Sequence, residues 1–164
     1  MQTRLMVIDD DCVALDCLTV TLRHHFPAAT IEGFNDPRQG LLAIQQTSFD
    51  VVLTDFTMPD MNGITLLRAA RESGSDSSFI VMTGDGADDI LTEGLRLGMF
   101  ALVNKPLNRL ALIALVQQAI ECHHLRREVA DLRRTLIESG VEWGGLMRGL
   151  VAETEEVFQP LLPY

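Results

Sequence analysis

The sequence predicts an α/β fold: a doubly wound (βα)5 domain with a five-stranded parallel sheet, followed by a helical extension. Three observations lead there. Short apolar runs alternate five times with amphipathic stretches of helical period, the signature of βαβ units. Runs such as Val51-Val52-Leu53 are apolar on both faces, as a strand covered by helices on each side must be. Finally, four runs end on polar residues: Leu5 to Ile8 on Asp9-Asp10-Asp11, Val51 to Leu53 on Thr54-Asp55, Phe79 to Met82 on Thr83, and Phe100 to Val103 on Asn104-Lys105.

Taken in order, strands are expected near Leu5 to Ile8, Thr30 to Phe34, Val51 to Thr54, Phe79 to Thr83 and Phe100 to Val103. Helices are expected near Cys12 to His25, Pro37 to Thr47, Ile64 to Arg71, Ala87 to Leu97 and from Leu107 onward. The punctuation agrees. Asp36 can cap a helix whose first turn holds Pro37, Gly98 follows Leu97 as a left-handed stop, and Pro106 precedes or opens the last helix. Gly63, after Asn62, suggests a turn needing positive φ. Right-handed crossovers would gather every strand C-terminus along one edge, where doubly wound sheets bind ligands. Asp9, Asp10, Asp55, Thr83 and Lys105 would converge there.

We place one domain at residues 1–122 and a helical tail at 123–164. Within the tail, Leu125, Val129, Leu132 and Leu136 alternate four and three apart, a coiled-coil-like segment over 123–139. A glycine hinge is expected near Gly140 and a second helix at about 142–159, although Gly144, Gly145 and Gly149 weaken that helix.

Composition narrows the function classes. The chain has 164 residues, 47% of them hydrophobic, enough for a buried core. Its formal charge of −10 opposes binding to a phosphate backbone, so no direct nucleic-acid contact is expected. The tail carries five arginines against seven acids, with no basic helix to enter a groove. No apolar run is long enough to span a membrane, and the N-terminus lacks the features of a signal peptide, which suggests a cytoplasmic protein. Cys12, Cys17 and Cys122 are scattered and form no CxxC pair, as expected of reduced thiols buried as small hydrophobes. His123 and His124 read as solvated helix residues.

Adjacent acids on a strand end repel one another unless a cation binds, and a hard divalent ion prefers oxygen ligands. Asp9, Asp10 and Asp55 could form such a site. Lys105 is the only lysine in the chain. Its compact ammonium suits a phosphate of changing position better than the planar fork of arginine does. A carboxylate cluster, a lone carboxylate, a hydroxyl and an ammonium are what metal-assisted phosphoryl transfer requires.

Over residues 3 to 122 these features resemble the receiver domain of two-component response regulators, the CheY-like superfamily with flavodoxin-like topology. The likeness rests on Ile8-Asp9-Asp10-Asp11, on Val52-Leu53-Thr54-Asp55-Phe56-Thr57-Met58-Pro59-Asp60-Met61-Asn62-Gly63, on Val81-Met82-Thr83-Gly84 and on Val103-Asn104-Lys105-Pro106, in that order. The resemblance implies that Asp55 accepts a phosphoryl group from a sensor histidine kinase or a histidine phosphotransfer protein. It implies Mg²⁺, with Mn²⁺ as a substitute, on Asp10, Asp55 and the backbone carbonyl of Thr57, with Asp9 acting largely through water. Lys105 would pair with Asp55 at rest and with a phosphoryl oxygen afterwards, and the Thr83 hydroxyl would meet another, helped by the Gly84 N–H. A cis Lys105-Pro106 peptide is implied as well, where the residues alone give trans as the default.

The resemblance further implies a switch in the loop after the fourth strand and on the face formed by the fourth helix, fifth strand and fifth helix. Leu102 stands where many receivers carry a switching aromatic ring, and the loop Gly84-Asp85-Gly86 is glycine-rich. The function expected is a phosphorelay signal receiver, not an enzyme beyond its own phosphorylation and slow dephosphorylation. The tail could join two copies as a homodimer, or the chain could be the N-terminal fragment of a larger regulator. An aspartyl-phosphate phosphatase would want a second acid two residues after its nucleophile, where Thr57 stands. A flavin carrier would want a phosphate-cradling loop where Asp9-Asp10-Asp11 would repel the phosphate.

Overall fold

A computed structural model describes residues 2–84 and 87–138, apart from the side chains of residues 87–90. Ten elements alternate: β1 (Arg4–Ile8), α1 (Cys12–His25), β2 (Thr30–Phe34), α2 (Pro37–Gln46), β3 (Val51–Asp55), α3 (Gly63–Glu72), β4 (Ser78–Thr83), α4 (Ala87–Arg96), β5 (Ala101–Asn104) and α5 (Arg109–Glu138). The strands form one parallel sheet in the order β2-β1-β3-β4-β5. The chain reverses its winding direction between β1 and β3, so their carboxyl ends flank the switch point. The division of the chain into compact units falls between Leu125 and Arg126. The expected hinge near Gly140, the helix at about 142–159, and Asp85 with Gly86 lie outside the described residues.

The period of two along each strand divides the core into two layers. Leu5 and Val7 of β1 join Leu15, Leu18 and Leu22 of α1 and Leu112, Val116 and Ile120 of α5 on one face. Met6 and Ile8 join Ile44 of α2 and Ile64, Leu66 and Leu67 of α3 on the other. Every residue of β3 and β4 is buried, which accounts for the apolar runs Val51-Val52-Leu53 and Phe79 to Met82 within them.

Helix caps fix where the elements begin. The Asp36 carboxylate accepts from the Arg38 N–H at 2.8 Å, and the Asn62 side chain from the Thr65 N–H at 2.8 Å. Pro106 precedes α5, as expected, and Asn108 caps it by accepting from the Ala111 N–H at 3.0 Å, so the helix starts two residues later than the Leu107 the sequence suggested. Gly98 has φ of 73°, the left-handed stop expected after α4. The Arg71 guanidinium donates to the carbonyls of Ser75, Ser77, Leu97 and Gly98 and lies over the Phe79 ring, tying the ends of α3 and α4 to the start of β4.

Two expectations are corrected. Cys12 and Cys17 are exposed and Cys122 is half-buried, because α1 turns Leu15, Leu18, Thr19 and Leu22 inward and leaves both thiols on its outer side. His123 is buried, because it continues the inward face of Leu112, Val116, Ala119 and Ile120 at helical spacing. Its Nε2 lies 3.5 Å from Asp50 Oδ1, and the Nε2 of the half-exposed His124 lies 3.2 Å from the same oxygen.

Candidate functional site

β1, β3, β4 and β5 carry the candidate residues to one edge of the sheet. Asp9 follows β1 and is 1% exposed, its N–H donating to Phe34 O at 3.2 Å. Asp10, next to it, is exposed. Asp55 closes β3 and is buried, held in register with Met82 of β4. Thr83 closes β4, also buried, and pairs in register with Asn104. The Lys105 N–H donates to Thr83 O at 2.7 Å, which sets the lysine just past β5. The Lys105-Pro106 peptide is cis.

The three acids do different things. Asp11 is the N-cap of α1, its carboxylate accepting from the Val13 N–H at 2.8 Å and the Ala14 N–H at 3.4 Å, so helix initiation takes it out of the cluster. Asp9 Oδ1 accepts from the Asp11 N–H at 3.0 Å, and its Oδ2 faces Lys105 Nζ at 3.1 Å. Lys105 Nζ also lies 2.8 Å from Asp55 Oδ1. One ammonium therefore bridges two buried carboxylates. Asp9, Asp10 and Asp55 each offer an oxygen within 4.8 Å of the others, and they are the group among the described residues that meets this criterion for holding a metal.

The charges do not balance. Three carboxylates gather where one ammonium reaches two of them, Asp9 and Asp55, both shielded from water, so a further cation would relieve their repulsion. An all-oxygen donor set at this spacing fits a hard divalent ion.

Burial pulls the Lys105 pKa down, but hydrogen bonds to Asp55 and Asp9 and the attraction of both carboxylates outweigh it, leaving the value above the ordinary 10.5. A raised lysine pKa stabilises the fold fully below the unfolded value, and the contribution is lost as pH climbs through the folded one. Urea midpoints followed from about pH 9 to about pH 12 should therefore fall more steeply for the wild type than for Lys105→Met. Parallel curves would refute that contribution.

The loop after β3 differs from expectation in its backbone. The left-handed residue is Asp60, with φ of 65°, and Gly63 has no positive φ. Gly63 is instead a close-approach position: a Cβ there would lie 2.6 Å from the Asp55 carbonyl oxygen and 3.2 Å from Thr54 Cγ2. Because the Gly63 N–H also donates to Phe56 O at 3.0 Å, the start of α3 is pressed against the end of β3. Gly63→Ala should lower unfolding free energy by about 1–3 kcal/mol, read from urea denaturation, since backbone cannot yield as a flexible side chain would. An unchanged midpoint would show that the loop relaxes freely.

Thr57, expected as a carbonyl ligand, is exposed in this loop, and Gly84 is exposed just past Thr83. Leu102, half-buried, packs against the core layer of α2 and α3. An open groove of about 370 Å³ lies between α1 and the β5–α5 connection, with Asp9 and Lys105 in its wall. No sequence signal marked Asp50, whose carboxylate accepts from the Arg4 N–H at 2.6 Å beside both histidines.

The class defined by this arrangement is a doubly wound α/β domain with an acidic, cation-seeking pocket at the carboxyl edge of its sheet. Residues 5–117 match the family model described as the response regulator receiver domain, and the chain belongs to that family. The family is a signalling module rather than a true enzyme.

Relatives agree. Regulatory protein AtoC of Escherichia coli is 29% identical over 149 residues, covering 88% of this chain and 31% of AtoC. Transcriptional regulatory protein FixJ of Bradyrhizobium diazoefficiens is 32% identical over 116 residues, covering 71% of this chain and 56% of FixJ. The chain thus spans between about a third and about half of these relatives. A CheY-like receiver domain from Methanospirillum hungatei superimposes with a TM-score of 0.71 at 25% identity, over 77% of this chain and 99% of that one. None of the described helices is long and apolar enough to cross a membrane.

Proposed function

We propose that this chain is the phosphorylatable receiver of a two-component phosphorelay. It takes a phosphoryl group from the phosphohistidine of a sensor kinase or a histidine phosphotransfer protein onto Asp55. A carboxylate oxygen of Asp55 bonds to phosphorus as the P–N bond breaks, and the departing imidazole keeps the electron pair. The product is an acyl phosphate. The observation that carries this reading is the single ammonium of Lys105 shared between Asp55 and Asp9 inside a pocket of three converging carboxylates.

Asp9, Asp10, Asp55 and the Thr57 carbonyl would hold Mg²⁺, or Mn²⁺ in its place. The ion supplies charge neutralisation for phosphoryl oxygens. Lys105 then exchanges its contact with Asp55 for a phosphoryl oxygen, while the Thr83 hydroxyl and the Gly84 N–H donate to others. Movement of Thr83 is transmitted to α4, β5 and α5, where Leu91 and Leu95 are exposed. With Leu102 in place of an aromatic ring, the readout does not depend on a ring flip. Net charge of −10 favours a protein target over nucleic acid, and the setting is cytoplasmic. The helical residues 123–138 pair two copies into a homodimer.

Incubation with Mg²⁺ and phosphoramidate should give a labile phosphate adduct by intact mass, absent when EDTA is added first. Steady turnover of phosphomonoesters without an adduct would point to a phosphatase instead. Light scattering should show a dimer that becomes monomeric on truncation at about residue 124. A full-length monomer would remove the homodimer.

A further inference from the structure

The outer stripe of α5 carries a charge pattern that selects one way of pairing. Leu125, Val129 and Leu132 are 61%, 46% and 57% exposed, large apolar side chains in a row that water disfavours. With Leu136 they follow the four-three-four spacing of a heptad seam. Val129 and Leu136 then take a positions and Leu125 and Leu132 take d positions, with Cys122 at the preceding a. A β-branched residue at a with leucine at d suits two strands.

In that register Glu121 and Glu128 fall at g, and Arg126 and Arg133 at e. All four are exposed. Glu121 is held on the helix surface by Gln117, whose Nε2 donates to Glu121 Oε1 at 2.8 Å.

In a parallel pair, each g residue meets the e residue five positions on in the partner helix. Glu121 would face Arg126 of a second copy and Glu128 would face Arg133, each contact occurring twice by symmetry. In an antiparallel pair e faces e and g faces g, which sets arginine against arginine and glutamate against glutamate. The apolar seam is nearly indifferent to direction, so the flanking charges decide it.

We propose that residues 121–138 join a second copy of this chain as a parallel, in-register two-stranded coiled coil, guided by Glu121–Arg126 and Glu128–Arg133 pairs between copies. This rests on the homodimer reading above and adds its direction and register.

Cys122 reports the direction, because an in-register parallel seam brings the two copies of a single a position together, within reach of a disulfide. The test uses the full chain with Cys12→Ser and Cys17→Ser, oxidised with copper phenanthroline and run on a non-reducing gel, alongside sedimentation equilibrium. The expected result is a dimer mass, a Cys122 disulfide in most of the protein, dimerisation weakened about tenfold by Glu128→Arg, and recovery in Glu128→Arg/Arg133→Glu. A dimer whose Cys122 stays reduced and whose strength Glu128→Arg leaves unchanged would overturn the parallel register while keeping the homodimer. A monomer throughout would remove both, and a band with some other protein in place of a second copy would do the same.

Discussion

Asp55→Asn should yield no phosphate adduct at all under conditions that label the wild type fully with Mg²⁺ and phosphoramidate. The amide oxygen is neutral and a poor nucleophile, so the acceptor chemistry is lost outright rather than slowed. The fold should survive. Lys105 Nζ keeps Asp9 Oδ2 at 3.1 Å, so the ammonium is not left without a carboxylate when Asp55 is neutralised. Urea denaturation should place the variant within about 2 kcal/mol of the wild type, the range of a substitution that changes a charge but not a shape. Mg²⁺ affinity should drop by about tenfold or more with one of three carboxylates gone, measured by calorimetry. An adduct that persists in the variant would move the acceptor to another acid and sink the assignment.

Lys105→Met separates the two things the ammonium does. Methionine preserves an unbranched apolar stem and removes the charge. Phosphoryl transfer from phosphoramidate should slow by about 10²- to 10³-fold, the loss typical of deleting one preorganised charge donor at a developing negative charge. Mg²⁺ should bind more tightly, because the ion no longer competes with a cation lying 2.8 Å from Asp55 and 3.1 Å from Asp9. Opposite signs on rate and affinity are the mark of this site, since general unfolding would lower both. Lys105→Arg should fall between, as its charge remains but its planar fork cannot occupy the same compact position between two carboxylates. Equal affinity and equal rate in Lys105→Met would show that the bridge plays no part in the transfer.

Much of the fold was legible in the residues themselves. β2 and α1 begin and end where the apolar periodicity and the flanking polar residues put them, and the other elements shift by a residue or two. The shifts have local causes. β3 runs one residue further, to Asp55, because its carboxyl end is paired to Met82 of β4, and α5 starts late because Asn108 captures the cap. Cysteine as a residue class favours burial, but the positions of Cys12 and Cys17 on α1 leave both exposed. His123 departs in the opposite sense, buried where a solvated residue is expected. Its spacing from Ala119 and Val116 carried the signal, but a histidine beside another histidine and two arginines reads as surface until Asp50 is seen beneath it.

The sequence by itself determined the alternating architecture, the edge on which the acids and the ammonium gather, and the residues of an acidic pocket suited to a divalent ion, because backbone periodicity and strand-end chemistry are local properties. Tertiary structure alone decided how three consecutive acids divide their work: Asp11 to a helix cap, Asp9 to a buried anchor and Asp10 to solvent. It also decided that Gly63 is required by the proximity of the Asp55 carbonyl and not by a turn. The reason is distance along the chain. Lys105 meets Asp9 across 96 residues, and no local pattern encodes which of several nearby carboxylates a folded backbone will bring to one ammonium.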